Sequence, residues 1–134
     1  MAPSVLKPFY GALLEHGKAH SNVVVVTNDL TASCEADGFR DAFPNRHVSA
    51  GMAEQGLISA MSGMAAEGLY PIYTSFAVFC TRRPYEQVAL TLAYPAKKAA
   101  IFGFLPGLTT PGGVTHQALD DLGLAAVFAL RIAA

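Results

Sequence analysis

Four consecutive valines, Val23-Val24-Val25-Val26, constrain this chain more than any other feature of it. Two heavy atoms on Cβ stiffen each side chain and suit it to an extended, pleated backbone. Successive side chains of a strand point to opposite faces, so a run that is apolar at every position needs cover on both. Asn22 and Asn28 bound the run and mark its ends. A strand buried on both faces belongs to a parallel sheet sandwiched by helices, which makes the chain α/β.

The remaining pattern alternates accordingly. Residues 5–18 read as a helix, with Leu6, Phe9, Tyr10 and Leu13 at helical spacing and Pro8 restricting its start. A loop with Asp29, Ser33 and Asp37-Gly38 follows, then a short helix over 39–42 that ends at Pro44. Residues 47–49 make a short strand. The run 52–67 carries Met52, Leu57, Met61 and Met64 at helical spacing and stops at Gly68. Residues 70–74 are strand-like, 77–92 helical despite Pro84, and 98–104 a further strand. A Gly/Pro/Thr loop covers 105–113, and a last helix opens over 115–124. Repeated strand–helix units imply right-handed crossovers and a mostly parallel sheet with helices on both faces. Ligands of such sheets gather at the carboxyl ends of the strands, here residues 28–34, 50–55, 75–79 and 107–116.

Composition narrows the class. The 134 residues fit one domain with a real core, yet 52% are hydrophobic and only 14% charged. That balance is apolar for a free-standing small domain, so a partner covers much of it or it is a piece of something larger. A net charge of -1 gives no basic footprint for nucleic acid or an anionic membrane. Cys34 and Cys80 form no CxxC pair, which favours a reduced, cytoplasmic protein. The first residues carry no apolar signal-peptide core, and the longest apolar stretch, LGLAAVFAL, is too short to span a bilayer. There is no GxGxxG after the valine strand, no GxxxxGK[ST] and no GxSxG, so hydride transfer, nucleotide hydrolysis and serine hydrolysis lose support. His16, His20, His47 and His116 show no metal-ligand spacing with the cysteines.

Three segments carry chemistry in combination. They are Ser49-Ala50-Gly51-Met52-Ala53-Glu54-Gln55, then Tyr73-Thr74-Ser75-Phe76-Ala77-Val78-Phe79 with Arg83-Pro84-Tyr85-Glu86-Gln87, and finally the stretch from Gly107 to Thr115-His116-Gln117. In order and separation they resemble the pyrimidine-binding domain of the transketolase family of thiamine diphosphate enzymes, over roughly residues 5–123. The resemblance implies that Glu54 is the carboxylate that hydrogen-bonds a ring nitrogen of the cofactor's aminopyrimidine. That contact favours the imino form, whose exocyclic nitrogen takes the thiazolium proton. To donate the bond the carboxyl must hold a proton, which desolvation in a dry cleft favours. Read by position alone, Glu54 is instead a helix-opening residue that complements the dipole and caps backbone amides. Phe79, and less strongly Phe76, matches the aromatic side chain that packs on the pyrimidine; both also read as core aromatics. His116 matches the histidine that points at the substrate. Asp29 matches an acidic residue on the thiazolium side, or else forms an Asx turn.

The resemblance covers only half of such a site. Mg²⁺ and the diphosphate belong to a separate pyrophosphate-binding domain, so the implied partner is a chain carrying it, in a homo- or hetero-oligomer. The implied activity is transfer of a two-carbon ketol unit between sugar phosphates. A 1-deoxyxylulose-5-phosphate synthase, a 2-oxoacid dehydrogenase β-type subunit and a non-catalytic interaction module are the alternatives. Two departures accompany the match. Thr110-Pro111-Gly112-Gly113 lacks the acidic residue common before the T-H-Q motif, and Phe104 stands where a histidine is usual. Residues 124–134 form an atypical tail, with truncation expected to leave a sheet edge unpaired.

Overall fold

The computed structural model describes residues 7–132, and side chains as far as residue 126. The expected helix start at Val5 and the last two residues of the tail lie outside it. The valine run, with Thr27, forms β1 (Val23–Thr27), buried at every position. It pairs in parallel with β2 (His47–Ser49) and β3 (Tyr70–Phe76), and β3 pairs in parallel with β4 (Ala100–Phe104). The sheet order is β2-β1-β3-β4. Val25 lies opposite both His47 and Ile72, which puts the valines at the centre of the sheet.

Alternation along β1 builds two cores. Val23 and Val25 join Ile72, Leu13 and Phe39 on the face covered by α1 (Pro8–Ala19) and α2 (Asp37–Ala42). Val24 and Val26 join Tyr73 on the other face, against Leu57, Ile58 and Met61 of α3 (Glu54–Ala66). Each buried valine contributes about 1.5–3 kcal/mol relative to an exposed one, so the run is a main source of the fold's stability. Arg46 closes the first face: its guanidinium donates to the Gly17 and His20 carbonyls, both at 2.9 Å, and lies 4.0 Å from the Phe43 ring centroid. It thereby satisfies carbonyls at the end of α1 that have no helical partner.

Three expectations differ from what is observed. The helix expected over 77–92 is interrupted, giving α4 (Ala77–Thr81), α5 (Tyr85–Gln87) and a π-helical turn at Val88–Ala93. Pro84 has no N–H to donate and its ring crowds the preceding turn, so α4 ends before it. The last helix, α6 (Asp121–Ile132), starts later than residue 115. Ala118 has both backbone groups bonded to Gly107, at 2.9 and 3.1 Å, and they are not available to a helix. Helix α3 begins at Glu54, and Met52 is solvent-exposed instead of contributing to the apolar stripe.

Cys34 and Cys80 are free and buried. Burial pushes the Cys34 thiol up to about 12 and raises that of Cys80 as well, the state of inert core thiols. Among the described residues no helix is long and apolar enough to cross a membrane.

Candidate functional site

The sheet order decides where a site can form. The connection after β1 leads outward to β2, and the one after β3 leads the opposite way to β4. A crevice opens where neighbouring strands send their loops apart, at their carboxyl ends. There a cavity of about 250 Å³ is lined by Asp29, Glu54, Phe76, Phe79 and His116, together with Asn28, Leu30, Met52, Arg83 and Thr115. All five residues singled out from the sequence thus face one space. Larger clefts of about 360 and 340 Å³ lie beneath α6 and beside α1, but their linings are mostly apolar.

Glu54 opens α3 after a turn in which Gly51 takes φ +65, a conformation that suits glycine. Its residue is 2% exposed. The carboxylate engages side chains instead of the helix's own amides: Oε1 accepts from Asn28 Nδ2 at 2.9 Å and from Arg83 Nη1 at 2.7 Å. Ser75, the penultimate residue of β3, donates to Asn28 Oδ1 at 3.0 Å. The hydroxyl and the carboxylate together fix which way the Asn28 amide points. Two strand ends, through Asn28 and Ser75, and the turn after α4, through Arg83, therefore hold one buried carboxylate in place. A buried carboxyl group of this kind is tolerated because it is paired and hydrogen-bonded.

Phe79 forms the aromatic wall. His116 meets its ring edge-on at 5.2 Å, Phe76 lies 6.2 Å away with planes 19° apart, and the Arg83 guanidinium sits 4.1 Å from its centroid. His116 Nδ1 shares a 2.8 Å hydrogen bond with Thr115 Oγ1. The loop beneath it is braced by its own threonines, with the Thr109 hydroxyl donating to the Pro106 carbonyl and Thr110 Oγ1 accepting from Gly112 N–H. A Cβ at Gly112 would come within 2.8 Å of His116 Cγ and 2.9 Å of its Cβ. A side chain at this position would therefore push against His116. Gly112→Val is expected to displace the imidazole from the edge of the Phe79 ring. Loss of the mutual ring-current shifts of Phe79 and His116 in NMR spectra checks the displacement. Asp29 is exposed at the cavity mouth.

Three residues of this arrangement were not identified as functional from the sequence. Asn28 reads as strand punctuation, Ser75 as strand end, and Arg83 as part of a motif with no role attached. A polar residue directly after a fully apolar strand, at the sheet's carboxyl edge, was the available signal for Asn28. Among the described residues no group of three or more His, Cys, Asp or Glu could hold a metal ion.

Comparison with known proteins gives the family. The family model "Transketolase, pyrimidine binding domain" matches residues 2–129. The chain belongs to the transketolase family, as its pyrimidine-binding domain. It is 38% identical over 122 residues to an uncharacterized transketolase family protein of Sinorhizobium fredii, covering 91% of this chain and 35% of that protein. It is 33% identical over 113 residues to a 6-deoxy-6-sulfo-D-fructose transketolase subunit of Clostridium sp., covering 84% and 35%. A solved structure described as a split gene transketolase, inactive beta4 tetramer, superposes with a TM-score of 0.73 at 34% identity, covering 87% of this chain and 37% of that one. The chain spans about a third of the length of these relatives.

Proposed function

We propose that this chain supplies the pyrimidine-binding half of a thiamine diphosphate-dependent ketol transferase. The diphosphate and Mg²⁺ are held by a partner chain carrying the pyrophosphate-binding domain. The observation that carries the reading is Glu54, 2% exposed yet on the wall of the cavity that Phe79 and His116 also line. A buried carboxylate beside a flat aromatic ring fits a planar nitrogen heterocycle. When bound, the cofactor supplies a nucleophilic carbon and an electron sink.

The chain's own residues have distinct tasks. Glu54 holds a proton at the ring nitrogen, and Asn28 and Ser75 keep its carboxyl aimed. Phe79 fixes the plane of the ring and keeps water from it, with Phe76 behind. His116 moves a proton or recognises a hydroxyl of the sugar phosphate. Asp29 stands on the thiazolium side of the mouth. The highly exposed Met52 on the cavity wall fits burial by the partner, in a cytoplasmic oligomer. The Clostridium relative is a transketolase subunit, and the beta4 assembly of the split enzyme is inactive, both in keeping with a site completed by another chain.

The test is reconstitution. Mixed with a pyrophosphate-binding chain, thiamine diphosphate and Mg²⁺, the protein is expected to transfer a two-carbon unit from a ketose phosphate. No transfer with either component alone is expected. Turnover of pyruvate in place of the ketose phosphate would contradict the substrate class.

A further inference from the structure

Arg83 makes two contacts that the proposed function assigns to the cofactor's pyrimidine. Its Nη1 donates to Glu54 Oε1 at 2.7 Å, and its guanidinium lies 4.1 Å from the Phe79 ring centroid. A guanidinium is planar, carries N–H donors along its edge and stacks on aromatic faces. An aminopyrimidine with a nitrogen directed at a carboxylate has the same shape and needs the same two surfaces. Both cannot occupy them together. We propose that Arg83 is an internal substitute for the pyrimidine, an autoinhibitory side chain that fills the seat until cofactor and partner displace it. This rests on the reading that Glu54 and Phe79 face the pyrimidine.

The local structure is built for the side chain alone to move. Pro84 ends α4 and creates the turn on which Arg82 and Arg83 stand. The turn itself is anchored twice: Arg82 grips Asp120 through two hydrogen bonds, of 3.1 and 2.8 Å, and Gln55 Nε2 donates to the Arg83 carbonyl at 3.3 Å. Arg82 is thereby committed elsewhere. The Arg83 side chain is 44% exposed, against 2% for Glu54, so it leaves by rotating toward solvent while the carboxylate stays. A state in which the seat is filled lowers apparent affinity by the fraction of open molecules. Removing the arginine removes that competition.

The experiment titrates the isolated full-length chain with 4-amino-5-hydroxymethyl-2-methylpyrimidine and, separately, with thiamine diphosphate. Arg83→Ala and Arg83→Met are expected to bind each probe roughly tenfold more tightly than the natural chain, as loss of one charge-assisted contact predicts. Arg83→Lys is expected to fall between, because an ammonium can pair with Glu54 but does not stack flat. In the natural chain, saturation with probe should move the ring-shielded Nε–H resonance of Arg83 toward its exposed position. Equal or weaker binding by Arg83→Ala overturns the proposal, because the arginine then assists the ring instead of replacing it. So does an Arg83 resonance unmoved at saturation, and so does a failure of both chains to bind at millimolar probe. Failure of the underlying reading has a different signature: Glu54→Gln and Phe79→Ala would then bind the probe as well as the natural chain does.

Discussion

Glu54→Gln is expected to lower kcat of the reconstituted enzyme by roughly 10²–10⁴-fold, the range for removing a positioned acid–base group. The substitution separates proton chemistry from shape. Glutamine has almost the volume of glutamate, and its amide oxygen can still accept from Asn28 at the position Oε1 holds. Arg83 loses its charged partner, yet its side chain is 44% exposed and stays solvated. Stability should therefore change little, whereas proton exchange with a ring nitrogen ends. Glu54→Ala removes the hydrogen-bonding group as well and leaves the buried Asn28 amide with one partner fewer, so it should lose more activity and some stability. Ketol transfer at saturating cofactor, with thermal unfolding as the control, checks both. Transfer by Glu54→Ala equal to that of the natural chain would remove Glu54 from the mechanism.

The substitution also shows which parts of the site the sequence could announce. Glu54 was legible through the resemblance carried by its motif together with the other two segments, and the sheet order then carries it to the crevice. The valine run determined the fold for a local reason, since no other structure buries four adjacent β-branched side chains so readily. Phe79 and His116 became neighbours only through the sheet, as the helix carrying one follows β3 and the loop carrying the other follows β4. Asn28 and Arg83 lay out of reach for a physical reason. An asparagine ending a strand is a turn residue by default, and an arginine before a proline is a surface residue by default. Their roles come from side-chain contacts across |i−j| separations of 26 and 29 residues, which periodicity does not encode. The start of α6 was misplaced likewise, because the Gly107–Ala118 bridge that delays it is a tertiary contact.

Phe39→Ala tests the scaffold in isolation from the chemistry, and it is expected to destabilise the fold by about 3–5 kcal/mol. Phe39 is 1% exposed and packs beneath β1 on the sheet face opposite α3. Gly17 lets the backbone of α1 come against the ring, since a Cβ there would overlap it. With no side chain at Gly17 to swing into the space, and with α1 held by the Arg46 hydrogen bonds, the cavity stays open. That places the cost toward the upper end of the range, a large share of the roughly 5–15 kcal/mol typical of a whole domain. Urea unfolding of Phe39→Ala and Phe39→Leu checks the value, with leucine expected to restore most of the loss. The two Discussion variants should then respond oppositely to the partner chain. A partner that binds only folded chain stabilises it by mass action, so excess partner should recover the activity of Phe39→Ala. It should recover none of the activity of Glu54→Gln, whose folded population is already full. Activity of Phe39→Ala that stays low at saturating partner would mean that the core on this face shapes the site as well as supporting it.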